Sequence, residues 1–195
     1  MKKRIVSLLC VLVFVLSIGT AHAEAYTFSV DQREYSVDIP DAYLVYTSSM
    51  GQESPLLKLT GATASSMDLY MAALGSSVCC VHREYMHQMW ISVKDRSSGL
   101  GTVEEGGSLP KDIIKAYYDG VAFSRGSYSV ETIDGREYYL FANGKSINAG
   151  GINYYISTMM GHYEVSVRWE SGNGARTESD IAELKSIIAS IQFVQ

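Results

Sequence analysis

The chain has 195 residues, of which 47% are hydrophobic and 19% charged, with a formal net charge of −5. Beyond its first four residues the Lys and Arg form no run or stripe, which excludes the clustered cations that nucleic acid or an anionic bilayer demands. Three cysteines make no disulfide framework, because Cys79 and Cys80 are adjacent and could close only a strained vicinal ring.

The N-terminus reads as an export signal. Met1-Lys2-Lys3-Arg4 is followed by an apolar run from Ile5 to Ile18, then by the small residues of Ala21-His22-Ala23. This predicts a signal peptide over residues 1–23, cleaved between Ala23 and Glu24. The run of about 14 residues is roughly 21 Å long as a helix, too short for a ~30 Å hydrocarbon core. Cys10 lies inside the run, not at its end, which argues against a lipoprotein. Cleavage would remove three of the 16 Lys and Arg and none of the 21 Asp and Glu, leaving a net charge near −8. The remainder, residues 24–195, is expected to form a single domain with no stable membrane span. Its expected location is the periplasm or the extracellular space.

Strands come first in the mature chain. Tyr26, Phe28 and Val30 alternate with polar residues, as do Tyr35, Val37 and Ile39 before Pro40. A third strand is predicted from Tyr43 to Tyr46. Ser65-Ser66-Met67-Asp68 reads as a capping box opening a helix with Met67, Tyr70, Met71 and Leu74, stopped by Gly75. Residues 78–83 and 88–94 read as a strand pair. A Gly/Ser-rich loop spans Arg96 to Ser108, and a helix is predicted from Ser108 to Tyr118, with Pro110 in its first turn and Gly120 past its end.

The C-terminal half has the clearest pattern. Tyr128, Val130 and Thr132 lead to Asp134-Gly135, a strong hairpin signal because the turn needs positive φ at both central residues. A second pair is predicted from Ile152 to Thr158 and from Tyr163 to Trp169, turning near Gly161. In its last strand Glu164, Ser166 and Arg168 form the face expected to meet water. Thr177-Glu178-Ser179-Asp180 predicts a capped helix with Ile181, Leu184, Ile188 and Ile191 on one stripe. Most of the 14 tyrosines fall at alternating strand positions, where the ring packs and the hydroxyl is expected to reach water. Tyr139, Phe141 and Tyr155 lie opposite the Tyr138/Leu140 and Tyr154/Ile156 sets, so both faces of this region are expected to be core.

Hairpin-linked strands with three helices predict an α+β fold, a mainly antiparallel sheet covered by helices on both faces. The runs Ile133 to Tyr139, Asn153 to Thr158, Tyr163 to Val167 and Ile187 to Phe193, with the opening Tyr35 to Pro40, resemble the PsbP/Mog-like α/β/α sandwiches. These include the photosystem II extrinsic subunit and many exported bacterial proteins. The resemblance covers most of the mature chain. It implies that fold and suggests a binding or accessory role. No photosystem-binding or Ran-binding residue maps onto a position of this sequence.

Few residues offer chemistry. Cys79, Cys80, His82 and His87 are the metal-ligand candidates, since thiolate and imidazole suit zinc or copper. On a strand Cys80 and His82 share a face while Cys79 points away; on a helix Cys79 and His82 share one. Neither geometry presents more than two local ligands, and a buried free cysteine behaves as a small hydrophobe. His82 and His87 are five apart, not the four of a zincin helix. His162, at a predicted hairpin tip, is the distant partner a cysteine nucleophile would need, and a solvated role is expected for it. No nucleophile elbow, phosphate loop or identifiable acid pair is present. The expectation is therefore an exported, non-enzymatic protein that binds a protein or small molecule, with no cofactor. The alternatives are a hydrolase or redox enzyme built from separated loops, or a metal-handling protein using the Cys79–His87 region.

Overall fold

The computed structural model describes residues 23–104, 107–143, 153–170 and 178–194. The predicted signal peptide, save Ala23, lies outside them, as does Thr177. Among the described residues ten strands run in chain order: β1 Ala23–Val30, β2 Arg33–Pro40, β3 Tyr43–Thr47, β4 Val78–His82, β5 Gln88–Asp95, β6 Tyr128–Ile133, β7 Arg136–Asn143, β8 Asn153–Met160, β9 Tyr163–Glu170 and β10 Gln192–Phe193. The helices are α1 Pro55–Thr60, α2 Ala64–Leu74, α3 Lys111–Arg125 and α4 Glu178–Ser190, with a single helical turn at Ser97–Leu100. Among the described residues no helix is long and apolar enough to cross a membrane.

The strands form a seven-stranded sheet in the order β3-β4-β5-β9-β8-β7-β6 and a three-stranded sheet in the order β1-β2-β10. Every pairing is antiparallel. The chain is thus α+β with an antiparallel core, as the alternation of its sequence predicts. Period-two patterning gives the large sheet two apolar faces. One face carries Val45, Cys80, Ile91, Val165, Val167 and Trp169, and packs on both α4 and the small sheet through Tyr35, Val37, Ile39, Leu184 and Ile188. The opposite face is covered by helices in two places. Leu56, Leu57 and Met71 of α1 and α2 cover Tyr46, Cys79 and Trp90, while Tyr118 of α3 covers Tyr139, Phe141 and Tyr155. Burying a residue such as Leu184 or Ile188, 1% and 0% exposed, contributes about 1.5–3 kcal/mol each.

Several local readings change. The capping box of α2 sits two residues earlier than predicted: Thr63 Oγ1 accepts from the Ser66 amide and Ser66 Oγ accepts from the Thr63 amide. Asp68 instead accepts from the Tyr46 and Ser48 hydroxyls, both at 2.8 Å. Helix α1 carries no strong periodic signal; Ser54 caps it, Pro55 opens it and Gly61, at φ 69°, closes it. Helix α3 runs through Gly120 to Arg125 because Tyr118 is wholly buried and Val121 and Ala122 pack beside it. A glycine mid-helix costs about 1 kcal/mol relative to alanine, which that packing outweighs. Asp134 and Gly135 take φ of 50° and 79°, the turn their sequence predicts.

Candidate ligand groove

Three hairpin turns converge at one end of the molecule. Asp31 and Gln32, at φ 49° and 66°, join β1 to β2; Asp134-Gly135 joins β6 to β7; Gly161, at φ 65°, leads into His162 between β8 and β9. With Val103, Gly107 and the end of β10 they border an open groove of about 1240 Å³. A side chain at Gly161 would be strained by its φ and would press on Val103 Cγ2 at 3.4 Å.

The groove combines cations with apolar surface. Arg33 lies over the rings of Tyr163 and Phe193, 5.0 and 5.6 Å from their centroids. Arg136 follows the Asp134-Gly135 turn, and its Nη1 is buried without a hydrogen-bond partner. His162 Nδ1 accepts from the Val103 amide at 3.4 Å, and its Nε2 faces Asp95 Oδ1 at 3.9 Å. The Ser97 side chain and amide hold Asp95 below the usual carboxylate range. Beside the groove, the Tyr35 hydroxyl is buried with no partner, and burial pushes its pKa well up. Glu34, Glu104 and Asp134 supply the negative rim. His162 is therefore not the solvated tip residue expected of it: its side chain is 12% exposed and held on both sides.

A second polar group lies under α3. Glu164, on the face expected to be wet, is 2% exposed because α3 and Arg96 cover it. Its Oε2 accepts from Arg96 Nε at 3.0 Å, from Arg96 Nη2 and from the Tyr117 hydroxyl at 2.8 Å. Its Oε1 accepts from the Tyr155 hydroxyl at 2.9 Å and from Ser157 Oγ at 3.1 Å. Burial alone would raise the pKa of Glu164, but the Arg96, Tyr117 and Tyr155 donors outweigh it and hold the carboxyl below its ordinary value. Burial, then the Glu164 charge, pushes Tyr155 up to about 12. These tyrosine hydroxyls are turned inward, contrary to the sequence expectation. With every lone pair engaged, Glu164 is built to hold α3 on the sheet.

The sulfur and imidazole candidates are divided between faces. Cys79 faces α1 and α2 beside Trp90, while Cys80 faces the other core. His82 Nδ1 accepts from the Glu84 and Tyr85 amides, both at 3.2 Å, and its ring centroid is 6.2 Å from that of His87. His87 packs on Trp169 with Nδ1 unpartnered, and burial lowers its pKa. No group of three or more potential metal ligands forms among the described residues. His162 adjoins Asp95, six residues along β5 from Met89, the partner of Cys80, or about 20 Å at strand rise. Cysteine and distant histidine are thus not brought together. Burial pushes the Cys79 thiol up to about 12, and burial, with the neighbouring Cys79, raises that of Cys80 as well. The folded protein is expected to react with a disulfide reagent at pH 8 at least about a hundredfold more slowly than the urea-unfolded chain, in which thiols titrate near 8.5. Equal rates would show that these thiols are open to solvent.

Sequence reasoning found the turns that border the groove but missed Arg33, Arg136 and Glu164. Only the turn residues carried a local signal; the convergence comes from pairing strands far apart in the chain.

No family model matches the chain, and no curated protein matches it. Solved structures similar to it include the following two. One is cyanobacterial PsbP from Synechocystis sp. PCC 6803, with a TM-score of 0.48 and 13% identity over 91% of this chain and 96% of that one. The other is a protein from Bacteroides thetaiotaomicron, with a TM-score of 0.48 and 12% identity over 83% of this chain; the match spans 45% of that longer chain.

Proposed function

We propose that this chain is an exported, non-enzymatic binding or accessory protein whose ligand lies in the turn-end groove. The observation that carries the reading is Arg136, which lines a groove of about 1240 Å³ and whose Nη1 is buried without a partner. A buried donor without an acceptor is unfavourable by about 1–3 kcal/mol, and a ligand acceptor removes that penalty. Arg33, stacked on Tyr163 and Phe193, adds a second cation against apolar surface. The arrangement suits a small molecule with one anionic group and one apolar body. The imidazole in the groove has one nitrogen on the Val103 amide and the other facing Asp95, which suits a wall residue and not a base beside a nucleophile.

Anilinonaphthalene sulfonate is a suitable probe, joining a sulfonate to fused rings. Its fluorescence is expected to rise saturably with the mature protein. Arg136→Met and Arg33→Met are each expected to weaken binding by about tenfold, the loss of one charge-assisted contact. Titrations unchanged in both variants would remove the groove from the proposal. Export rests on the cationic start and the apolar run that follows it. N-terminal sequencing of exported material is expected to begin at Glu24; a start at Met1 would contradict cleavage.

A further inference from the structure

A second candidate site lies on the helix-clad face of the large sheet, away from the groove. Ser92, Ser166 and Ser157 stand in register across β5, β9 and β8. Ser157 is taken up by Tyr118 and Glu164. Ser92 and Ser166 are 8% and 4% exposed, and with Ser76, whose Oγ is 3.1 Å from Ser92 Oγ, they form a polar strip, or trough, between the two helix-covered clusters.

The walls of this trough are cationic although the chain is acidic. Lys94 lies two positions beyond Ser92 and Arg168 two beyond Ser166, on the same face at opposite ends of the floor. The Lys94 amine passes the C-terminal end of α2, with Nζ 3.1 Å from where a Cβ on Gly75 would stand. Arg125, in the last turn of α3, lies 4.1 Å over the Tyr155 ring, and Tyr155 pairs with Arg168. Lys94 is pressed by burial and by the charges of Arg96, Arg125 and Arg168, which together lower its pKa against the pull of Glu164.

Counter-charge is short. Glu164 is committed to Arg96 and to three hydroxyls. Glu170 Oε1 is 3.3 Å from Arg168 Nε but off the line of that N–H, so the pair is ionic and the donor unsatisfied. Among the described residues neither Lys94 nor Arg125 has a carboxylate at ion-pair distance. Trp90, 3% exposed and 5.9 Å from the Arg168 guanidinium, has a buried Nε1 with no acceptor. The helix C-termini offset only about half a unit charge each. Half-buried like charges held together with spare donors are completed by an anion.

We propose that this serine-floored trough between the C-terminal ends of α2 and α3 binds a small multivalent oxyanion, a phosphate or sulfate group, through Lys94, Arg125 and Arg168. The anion is free in solution and not a lipid headgroup, because Lys94, Arg125 and Arg168 are only partly exposed and the chain's net charge of −5 is repelled by an anionic bilayer.

The test is site-resolved acetylation of the full mature chain by an activated acetate ester, read by mass spectrometry, with inorganic pyrophosphate as the probe. Pyrophosphate is expected to slow labelling of Lys94 by about tenfold or more. Lys58 and Lys111, whose side chains are 62% and 82% exposed, serve as controls and are expected to label at unchanged rates. Arg125→Met and Arg168→Met are expected to abolish the protection, and Arg125→Lys to keep most of it, with circular dichroism confirming the fold of each. Absence of protection in the wild type, equal protection of all three lysines, or protection surviving in both methionine variants would overturn the proposal. So would protection by phosphatidic acid vesicles without protection by pyrophosphate.

Discussion

Replacing Glu164 with leucine is expected to destabilise the protein by about 3–5 kcal/mol, because removal of one partner strands the others. Arg96 would lose its only carboxylate partner among the described residues, the Tyr117 and Tyr155 hydroxyls would lose their acceptor beneath α3, and Ser157 Oγ would keep only the Val165 carbonyl and the Tyr118 hydroxyl. Glu164→Gln keeps the shape and one acceptor oxygen, and about 1–3 kcal/mol is expected for it. The wild type carries a pH signature of the same contact. The native carboxyl is held below its ordinary value of 4.5, so the unfolded chain binds the proton more tightly. The stabilisation is therefore complete above that ordinary value and is lost as pH falls toward the depressed native one. Urea midpoints measured from neutral pH into acid should fall more steeply in the wild type than in Glu164→Leu. Parallel curves would mean that Glu164 is not charged in the fold.

A loss of similar size, about 3–5 kcal/mol, is expected for Trp169→Ala, through a different mechanism. Trp169 is 1% exposed, stands opposite Met89 and Tyr154, and packs its ring against His87 at 4.8 Å. Its truncation leaves a cavity in the core shared by the two sheets and α4, and the loss is one of packing. The effect should therefore persist unchanged in acid, which separates it from Glu164. Phe123→Ala serves as the reference: at 97% exposure it should move the urea midpoint by no more than about 0.5 kcal/mol. A Trp169→Ala variant as stable as Phe123→Ala would place the core elsewhere.

The strands were legible because each declares itself through its own residues. Tyr163, Val165, Val167 and Trp169 alternate, and all four are buried on one face as that pattern requires. Asp134-Gly135 needs no distant partner to specify its turn. What failed depended on distant elements. The intervening Glu164, Ser166 and Arg168 look the same in sequence whether water or a helix lies above them, and it is α3 and Arg96 that bury Glu164. Gly120 reads as a helix stop, yet the covering contacts of Tyr118 carry α3 five residues further. The division into two sheets was not legible either, since β2 and β3 carry similar alternation although only β3 joins the large sheet. The groove followed the same rule: its turns were visible one by one, but Arg33 and Arg136 became neighbours of one cavity only when their hairpins were placed together.

The strand order has a consequence for how the chain is made. Residues 43–95 supply three neighbouring strands and residues 128–170 supply four, and the two groups join only where β5 meets β9. As the polypeptide emerges from the ribosome, β5 is complete long before its partner has been translated. Until then its backbone donors and acceptors stand open on one edge, as does the apolar Ile91–Val93 side, the kind of template on which nascent chains stick to one another. Closing that seam late, between strands separated in sequence by α3 and β6 to β8, makes it the expected slow step of folding. Arg96, just after β5, fastens the closed seam to Glu164 on β9.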